Sequence, residues 1–476
     1  MADGTQGIPG GAAIHVPETD AARIDEIRAA QTKFFKSGAT LTRSFREEQL
    51  RALLRACETF ESKLAAALFE DLGKDADQSY ITETGFVRSE VQLALKRLRG
   101  WMRPKTRLPG LLLAPAMSQR VPQPLGLTLI IAPWNYPVQL TLAPLVGAIA
   151  AGNVVVLKPS EVAPATSAVL AELIADTFPP EFVACVTGGI ETSTELLKPR
   201  WDHLFFTGGP FVGKIVAHAA AEHLSRVTLE LGGKSPAIVT ATADLDVAAR
   251  RIVFGKFTNA GQTCIAPDYV LVERSVHDEF LARVKTAITD FYGADPKEAS
   301  DYGRIINERH FARICALIDD SKVAVGGETD LAKRYIAPTV MTEVTPDDAV
   351  MAEEIFGPLL PIIAVDNLDE AVGLVDRNPN PLALYLFTTS REEEQKVVGS
   401  ISFGDGCINH TLMHVADHNV PFGGVGQSGT GSYHGDDSFF TFSHVKGVLR
   451  ASNKLDLDLK YPPFAGKMGI IRRLLG

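Results

Sequence analysis

The sequence has few cysteines, no long apolar run and no excess of positive charge. Its five cysteines among 476 residues are an odd number without a regular spacing. This usage excludes a disulfide scaffold and indicates a reducing compartment, so we expect a cytoplasmic protein. No run approaches the length of about 18 apolar residues that a membrane-spanning helix needs. The first 20 residues lack the basic and then apolar pattern of a secretory signal, and they predict a short disordered arm.

Charge and composition narrow the class of protein further. The formal net charge of −10 argues against nucleic acid or an anionic membrane as the main partner. Hydrophobic residues make up 46% and charged residues 22%, which is ordinary for a globular chain, and the length predicts two or three domains. The basic and apolar end, KMGIIRRLLG, could touch a membrane surface, but its shortness favours a docked or frayed tail.

The order of the apolar segments predicts a helical beginning and an α/β remainder. Residues 20–104 carry leucines at helical spacing, and residues 105–124 are rich in proline. After them, short apolar strands such as LTLIIA, VVVLKP and HLFFT alternate with helical stretches. This alternation predicts a doubly wound parallel sheet over residues 125–230, with a second α/β domain from residue 231.

Two glycine-rich segments compete as phosphate-binding loops. Gly424, Gly426 and Gly429 match Gly-x-Gly-x-x-Gly, but no clear strand precedes them and GTGSYHG after them cannot open a normal helix. In HLFFTGGPFVGK a predicted strand ends just before Gly208 and Gly209, and Pro210 suits the first turn of a helix in which Gly213 allows close packing. Free N–H groups at such a helix start bind anions, so we favour the second segment.

A lysine and a glutamate stand at the carboxyl end of the predicted strand VVVLK, where open α/β sheets bind ligands. Lys158 and Glu161 could clamp a ribose through its hydroxyl groups. A plain surface ion pair explains their spacing equally well.

Cys264 and Glu230 are candidates for a nucleophile and a general base. Cys264 lies in FTNAGQTCIAPDYV, among small polar residues that are unusual around a structural cysteine. A nucleophilic thiol needs a base or a lowered pKa. Glu230, in TLELGGKSP, ends a predicted strand beside two glycines and could be that base; a solvated turn residue is the alternative.

Three further observations concern the shape and the content of the site. In PWNYP two prolines make the loop rigid, so Asn135 presents its amide from a fixed backbone, as an oxyanion donor must. AEEIFGP places Glu353 and Glu354 before an aromatic residue and a turn. The histidines 410, 414 and 418 have helical spacing but no adjoining Cys or Glu at ligand spacing, so we expect no metal site.

Together these stretches resemble the aldehyde dehydrogenase superfamily, most closely its class 3 branch of fatty and aromatic aldehyde dehydrogenases. The resemblance rests on motifs that run in the family's order over roughly residues 85–445: PWNYP, GAIAAGNVVVLKPSE, FFTGGPFVGK, VTLELGGKSP, GQTCIAPDYV, EEIFGP and PFGGVGQSGTGSYHG followed by FSH.

The resemblance implies a role for each candidate. Cys264 would attack the aldehyde carbonyl to give a thiohemiacetal, whose oxyanion Asn135 and the backbone N–H of Cys264 would hold. Hydride transfer to the nicotinamide would leave a thioester, and Glu230 would activate the water that hydrolyses it. The implied cofactor-binding residues are the ribose clamp, the pyrophosphate loop and the nicotinamide support: Lys158, Glu161, Gly208, Gly209, Gly213, Glu354 and Phe356, together with Trp134 and Leu231. Glu161 would repel a 2′-phosphate, which favours NAD over NADP, although class 3 members often accept both.

The resemblance also implies an aldehyde dehydrogenase-like α/β fold: a Rossmann-type cofactor domain, a second α/β catalytic domain and a small β bridging segment for oligomerisation. The expected division is an N-terminal helical part of the cofactor domain (1–101), the first bridging part (102–124), the dinucleotide-binding domain (125–230), the catalytic domain with the cysteine (231–430), and the second bridging part with the C-terminal tail (431–476). Class 3 members are mostly dimers, so a homodimer is expected.

One departure from the family's pattern remains, and three rival functions: a CoA-acylating enzyme, a silent relative and a simple thiol hydrolase, the last of which would not depend on nicotinamide. Gly209 and Pro210 stand where the family more often has Ser-Thr, and losing a charge-assisted hydrogen bond, worth about 1.5–3 kcal/mol, would weaken cofactor binding. A CoA-acylating semialdehyde dehydrogenase would lack the base, so Glu230 argues against that activity. A catalytically silent structural relative is disfavoured because Cys264, Glu230, Asn135 and Glu354 are all retained.

Overall fold

The computed structural model describes residues 16–475, apart from the side chain of Leu112. The chain begins with a helical layer. Thr42 caps one helix through the N–H of Phe45, and Gly73 ends another in a left-handed conformation that glycine adopts without strain. A single π-helical turn, Tyr80–Thr84, leads into the longest helix of this layer. The helices of the layer are α1 Ala21–Lys36, α2 Arg43–Thr59, α3 Glu61–Leu72, α4 Ala76–Ser79 and α5 Gly85–Met102.

After α5 the chain forms two extended strands and then enters an alternating α/β region. Helix α6 is buried on every side and ends at Gly152 (φ 91°), and Pro210 occupies the first turn of α9. The elements of this part are β1 Lys105–Arg107, β2 Ala116–Pro124, β3 Leu127–Ile131, α6 Gln139–Ala151, β4 Val154–Lys158, α7 Pro164–Thr177, β5 Val183–Cys185, α8 Ile190–Leu197, β6 His203–Thr207, α9 Pro210–Glu222 and β7 Arg226–Glu230.

A second alternating region follows. The apolar strands at the centre of its sheet are buried, as the sequence pattern predicts for a covered sheet. Its elements are β8 Pro236–Val239, α10 Leu245–Phe257, β9 Tyr269–Glu273, α11 His277–Tyr292, α12 Glu308–Cys315, β10 Val323–Val325, β11 Thr329–Asp330, β12 Tyr335–Ile336, β13 Thr339–Met341, α13 Ala349–Ala352, β14 Leu359–Val365, α14 Leu368–Val375, β15 Ala383–Phe387, α15 Arg391–Ser400 and β16 Asp405–Ile408.

The last described elements are β17 Gly429–Thr430, α16 Gly435–Thr441, β18 Ser443–Ala451 and α17 Met468–Leu475. The run GTGSYHG therefore makes a two-residue strand, and α16 begins only at its final glycine. Strand β18 pairs with β2 over nine residues, and with β1 they form a three-stranded antiparallel sheet. Within the described part of the chain, no helix has both the length and the apolar character that crossing a membrane requires.

Two sheets position the site. In the first, the parallel strands have the order β5-β4-β3-β6-β7, with β17 antiparallel at the edge. This is the doubly wound order in which ligands bind beyond the carboxyl ends of the strands, at the switch point between β3 and β6. The second sheet has the order β10-β13-β14-β9-β8-β15-β16 and is parallel except at β10. The predicted α/β class with a doubly wound sheet is confirmed.

Candidate active site

The segment before Cys264 makes an unusually sharp bend. Asn259 (φ 54°), Ala260 (φ 51°) and Gly261 (φ 75°) are consecutive left-handed residues at the end of α10. A β-carbon on Gly261 would lie 2.2 Å from the carbonyl oxygen of Gly357, so only glycine fits there. The bend presents the partly exposed Cys264 between α10 and β9. This explains why small polar residues precede the cysteine.

Asn135 lies against the cysteine loop. Its Nδ2 donates a hydrogen bond to the carbonyl of Gln262 (3.1 Å), and its own carbonyl accepts one from Asn259 Nδ2 (2.8 Å). The next residue, Tyr136, forms a hydroxyl–hydroxyl hydrogen bond of 2.7 Å with Thr263. The PWNYP loop, at the carboxyl end of β3, is therefore joined to the residues directly before Cys264.

Glu230 is the last residue of β7 and is buried, and neither of its carboxylate oxygens has a hydrogen-bond partner within the described protein. Burial raises the pKa of this carboxyl well above its ordinary value, and the charge of Asp405 raises it further. An unpaired buried carboxylate is costly for folding, which makes it a candidate for a functional group.

The electrostatics join Cys264 to two glutamates. Although Cys264 is partly exposed, loss of hydration within the surrounding protein is the main cause that raises the pKa of its thiol, and the negative charges of Glu354 and Glu230 raise it further. The resting thiol is therefore neutral, and a base must take its proton before it can act as a nucleophile. The pKa of Glu354 is itself raised to about 8, chiefly by burial and then by Asp268, while the Gly233 N–H acts in the opposite direction.

Glu354 lies beside the turn that follows Glu230, and Phe356 lies against Trp134. A β-carbon on Gly232 would lie 2.1 Å from Glu354 Oε2, so this glycine makes room for the carboxylate. Phe356 has a left-handed backbone (φ 48°), and its ring meets the Trp134 ring edge-on at 5.3 Å between centroids. The structure thus brings the EEIFGP, PWNYP and ELGGK segments together.

The glycines before α9 leave an open surface. A β-carbon on Gly209 would meet no atom within 4 Å, whereas one on Gly213 would lie 2.7 Å from Leu231 Cδ2. Gly213 therefore allows α9 to pack closely on Leu231, and Gly208 donates its N–H to the carbonyl of Glu230 (3.0 Å). The first-turn N–H groups of α9 have no intrahelical partner, and Phe211, in the same turn, is an exposed apolar side chain.

Lys158 and Glu161 form the predicted pair at the end of β4, with 2.6 Å between Nζ and Oε2. Lys158 is 3% exposed at its side chain, whereas Glu161 is 41% exposed. A buried ammonium group is therefore paired with a partly exposed carboxylate, and the pair lies at the carboxyl ends of the strands of the first sheet.

The predicted site residues come from the carboxyl ends of the strands in the first sheet and from the amino ends of the strands in the second. Glu230, Asn135 and Lys158 end or follow strands of the first sheet, whereas Cys264 and Glu354 precede strands β9 and β14 of the second. A sequence pattern shows where strands end but not which edges of two sheets meet, so this arrangement could not be read from the sequence.

The other glycine segment has a structural contact. The carbonyl of Ser428 accepts the Leu231 N–H (3.0 Å), and Gly429 pairs with Glu230 across β17 and β7. A β-carbon on Gly424 would lie 2.1 Å from the Ser428 carbonyl oxygen. These glycines therefore fit a close backbone turn beside Glu230.

The three histidines make separate contacts. His418 Nδ1 lies 3.1 Å from Glu90 Oε1, His414 Nδ1 lies 3.3 Å from Cys407 Sγ, and His410 Nδ1 lies 2.8 Å from the carbonyl of Thr411. Residues 16–475 contain no group of three or more His, Cys, Asp or Glu side chains that could hold a metal ion.

Two buried ion pairs beside the site were missed by the sequence analysis. Lys74 Nζ lies 2.7 Å from Glu83 Oε1 and donates to the carbonyl of Asn135 (3.1 Å), and Glu83 Oε2 accepts the N–H groups of Val138 and Gln139. This pair holds both sides of the PWNYP loop. The two residues lie far from the loop in sequence, so no local pattern could find them.

The second pair, Lys234 and Asp268, holds the segment around Glu354. Lys234 Nζ lies 2.5 Å from Asp268 Oδ2 and donates to the carbonyl of Glu353 (2.9 Å), while Asp268 Oδ1 accepts the N–H of Ile355 (3.1 Å). The two residues thus bind the backbone on both sides of Glu354. Their presence within the ELGGKSP and CIAPDY motifs is a signal that sequence reasoning could have used.

Comparison with known proteins agrees with this geometry. A sequence model described as "Aldehyde dehydrogenase family" matches residues 8–448. The chain is 46% identical over 441 residues to 4,4'-diaponeurosporen-aldehyde dehydrogenase of Staphylococcus aureus, covering 92% of this chain and 96% of that protein. It is 44% identical over 459 residues to the dimeric NADP-preferring aldehyde dehydrogenase of Canis lupus familiaris, covering 94% and 99%.

Among solved structures, the substrate-bound state of Staphylococcus aureus AldH superposes with a TM-score of 0.94 at 44% identity, covering 95% of this chain and 99% of that one. The chain therefore belongs to the aldehyde dehydrogenase family, and it is an oxidoreductase that oxidises aldehydes.

Proposed function

We propose that the protein oxidises a medium- or long-chain aliphatic or aromatic aldehyde to the carboxylic acid, with NAD or NADP and through a covalent intermediate on Cys264. The observation that carries this proposal is the convergence of Cys264, Glu230 and Glu354. The thiol feels the charge of both glutamates, and the two oxygens of Glu230 are buried without a partner. A nucleophile within the electrostatic reach of an unpaired base is an arrangement that acyl transfer can use.

The first chemical step is the attack of Cys264 on the aldehyde carbonyl. The thiol proton has to leave, and Glu230, whose charge already acts on this thiol, takes it and passes it to solvent; water accepts this proton directly, though more slowly, when Glu230 is replaced. As sulfur bonds to the carbonyl carbon, the oxygen becomes an oxyanion. The second hydrogen of Asn135 Nδ2 and the backbone N–H of Cys264 are the donors proposed for it, and the loops that carry both groups are joined by hydrogen bonds.

The second half of the reaction releases the acid. Once the thiohemiacetal carbon has lost its hydride, Cys264 carries a thioester. Glu230, ionised again, then takes a proton from water, and the hydroxide adds to the thioester carbon. The C–S bond breaks, the carboxylic acid leaves, and the Cys264 thiolate regains the proton that Glu230 holds. A buried carboxyl whose pKa is raised is a stronger base than an exposed one once it is ionised. This use of Glu230 favours water over CoA as acceptor.

The described residues fit a dinucleotide. The open space above Gly209, the free N–H groups at the start of α9 and the Lys158–Glu161 pair lie at the carboxyl edge of the first sheet. NAD or NADP, when bound, would accept the hydride. We propose Gly208, Gly209 and Gly213 for the pyrophosphate, Lys158 and Glu161 for the adenosine ribose, and Trp134, Leu231, Glu354 and Phe356 around the nicotinamide.

The names of the relatives guide the remaining proposals. One relative is named for a diaponeurosporen aldehyde and another as dimeric and NADP-preferring. We propose an apolar aldehyde as substrate, a homodimer as the assembly and, because of Glu161, NAD rather than NADP as the preferred cofactor. We also retain the cytoplasm as the compartment, and the division at residues 101, 124, 230 and 430 as the domain organisation.

The experiment that tests this function measures the absorbance of reduced nicotinamide. The purified full chain is mixed with NAD or NADP and with aldehydes from acetaldehyde through decanal to benzaldehyde and cinnamaldehyde. We expect reduction with at least the longer or aromatic aldehydes. If the nicotinamide is reduced only when CoA is added, the acyl group is transferred to CoA and not to water. Folded protein that reduces neither cofactor with any aldehyde would favour the silent relative.

A further inference from the structure

The segment before α1 is fixed to the loop that follows β5. Thr19 donates its N–H to the carbonyl of Thr187 (2.9 Å), and the Thr187 N–H donates to Thr19 Oγ1 (3.2 Å). The Thr187 hydroxyl also donates to the carbonyl of Pro17 (2.8 Å). Residues 1–15 of the predicted disordered arm lie outside the described part of the chain, but for Pro17–Thr19 that prediction is wrong.

These contacts direct Glu18 into the loop. Its Oε1 accepts the N–H of Gly189 (2.7 Å), and its Oε2 accepts the hydroxyl of Thr192 (2.5 Å). A β-carbon on Gly188 would lie 2.4 Å from Glu18 Oε2, so this glycine makes room for the carboxylate. The Thr192 hydroxyl, followed by the Gly189 N–H, lowers the pKa of Glu18, which is therefore ionised at neutral pH.

Glu18 and Glu161 flank the same glycine. A β-carbon built on Gly189 would lie 3.1 Å from Glu18 Oε1 and 3.9 Å from Glu161 Cγ. The positive charge of Lys158 is near enough to lower the pKa of Glu18, although it is the weakest of the causes. Lys158 is already neutralised by its ion pair with Glu161. Glu18 therefore adds a negative charge that the single positive charge of Lys158, already paired with Glu161, does not neutralise.

We propose that Glu18 is a specificity-determining residue, which disfavours a cofactor with a phosphate on the 2′-oxygen of the adenosine ribose. The inference rests on the proposed function, in which Lys158 and Glu161 hold that ribose. A ribose hydroxyl can donate a hydrogen bond to a carboxylate. A 2′-phosphate has only negative oxygens to offer, and in this position it meets two carboxylates and one lysine instead of a balanced pair.

The test compares the affinities of NAD and NADP for the full-length wild type and for Glu18→Gln, by isothermal titration calorimetry without aldehyde. Glutamine keeps an oxygen that can accept the Gly189 N–H, so the loop keeps its main contact while the charge is lost. Because Glu18 is exposed, we expect NADP to bind about threefold to tenfold more tightly to the variant at low salt, with NAD binding unchanged within about twofold. The gain should shrink in high salt because an exposed charge is screened.

Glu26→Gln, which removes an exposed carboxylate from α1, is the matched control and should change neither affinity. An unchanged NADP-to-NAD ratio in Glu18→Gln would overturn the inference and leave the proposed cofactor site intact. An equal loss of affinity for both nucleotides would also overturn it, because that result assigns Glu18 to loop structure alone. Wild type that binds neither nucleotide would overturn the proposed function together with the inference.

Discussion

Two buried glutamates near the site have opposite surroundings. Glu83, behind the PWNYP loop, contacts the Lys74 ammonium and accepts two backbone N–H groups. Glu230, at the end of β7, has no hydrogen-bond partner for either oxygen. Burial raises the pKa of both carboxyl groups, but the charge of Lys74 and the hydrogen bonds counteract this rise only at Glu83. The difference separates a carboxylate that holds structure from one that is available for chemistry.

The largest expected effect comes from removing the thiol that Glu230 would serve. Cys264→Ala should lower aldehyde oxidation by at least about 10⁴-fold, because no other covalent acceptor is proposed for the site. The matched control is Cys315→Ala, on α12 and partly exposed. Initial rates at saturating aldehyde and cofactor are the measurement. Substantial turnover by Cys264→Ala would remove the nucleophile from the account.

The comparison itself is tested by making the same substitution in both glutamates. Glu83→Gln should lower the free energy of unfolding by about 3–5 kcal/mol, because it leaves the Lys74 charge buried without its partner. Glu230→Gln should leave the free energy of unfolding unchanged or raise it, because the carboxylate that it replaces has no hydrogen-bond partner. Chemical denaturation monitored by fluorescence measures both. Equal losses would show that the two carboxylates do not differ in the way their contacts indicate.

A smaller effect, on kcat, is expected from Asn135, the proposed oxyanion donor, whose carbonyl accepts a hydrogen bond from Lys74. Asn135→Ala should lower kcat by about 10²–10³, because it removes a donor to the developing oxyanion and keeps the backbone carbonyl that Lys74 binds. Steady-state kinetics and a melting temperature are needed together, with the exposed Asn453→Ala as control. An unchanged kcat in a folded variant would exclude Asn135 from the reaction.

The smallest expected effect concerns pH. Glu230 acts as a base only when ionised, so kcat/KM should rise about tenfold per pH unit below its raised pKa. Because Asp405 raises that pKa, Asp405→Asn should move the acid limb of kcat/KM to lower pH. For stability the sign is opposite: the folded state holds this proton more tightly, so the contribution of Glu230 falls as pH rises above the unfolded-state value. If the acid limb of kcat/KM stays at the same pH in Asp405→Asn, a group other than Glu230 determines it.

Much of the fold follows from local patterns. The helices before residue 104, the alternation of strands and helices after residue 125 and the proline at the start of α9 were predicted and are confirmed. Each depends on neighbours within a few residues, which is what periodicity and capping detect. Helix α8 was not predicted, because its eight residues are too few to show a repeat that indicates a helix.

For the site, local patterns predicted residues but not the contacts that hold them. The motifs identified the residues that converge, because glycine, cysteine and carboxylates at strand ends leave a local signal; their chemical roles stay predictions. The contacts that hold these residues in place leave no local signal in the sequence. Lys74 lies 61 positions from the Asn135 carbonyl that it binds, and Glu18 lies 171 positions from Gly189. Only the folded chain brings these groups together.

The most direct test of the central claim is the intact mass of Glu230→Gln after mixing with NAD and decanal. If Cys264 carries the acyl group and Glu230 activates the water that removes it, the protein should gain the mass of one decanoyl group. The double variant that also has Cys264→Ala should gain none. If Glu230→Gln stays unmodified while it turns over at the wild-type rate, the unpaired glutamate is not the base and the account is contradicted.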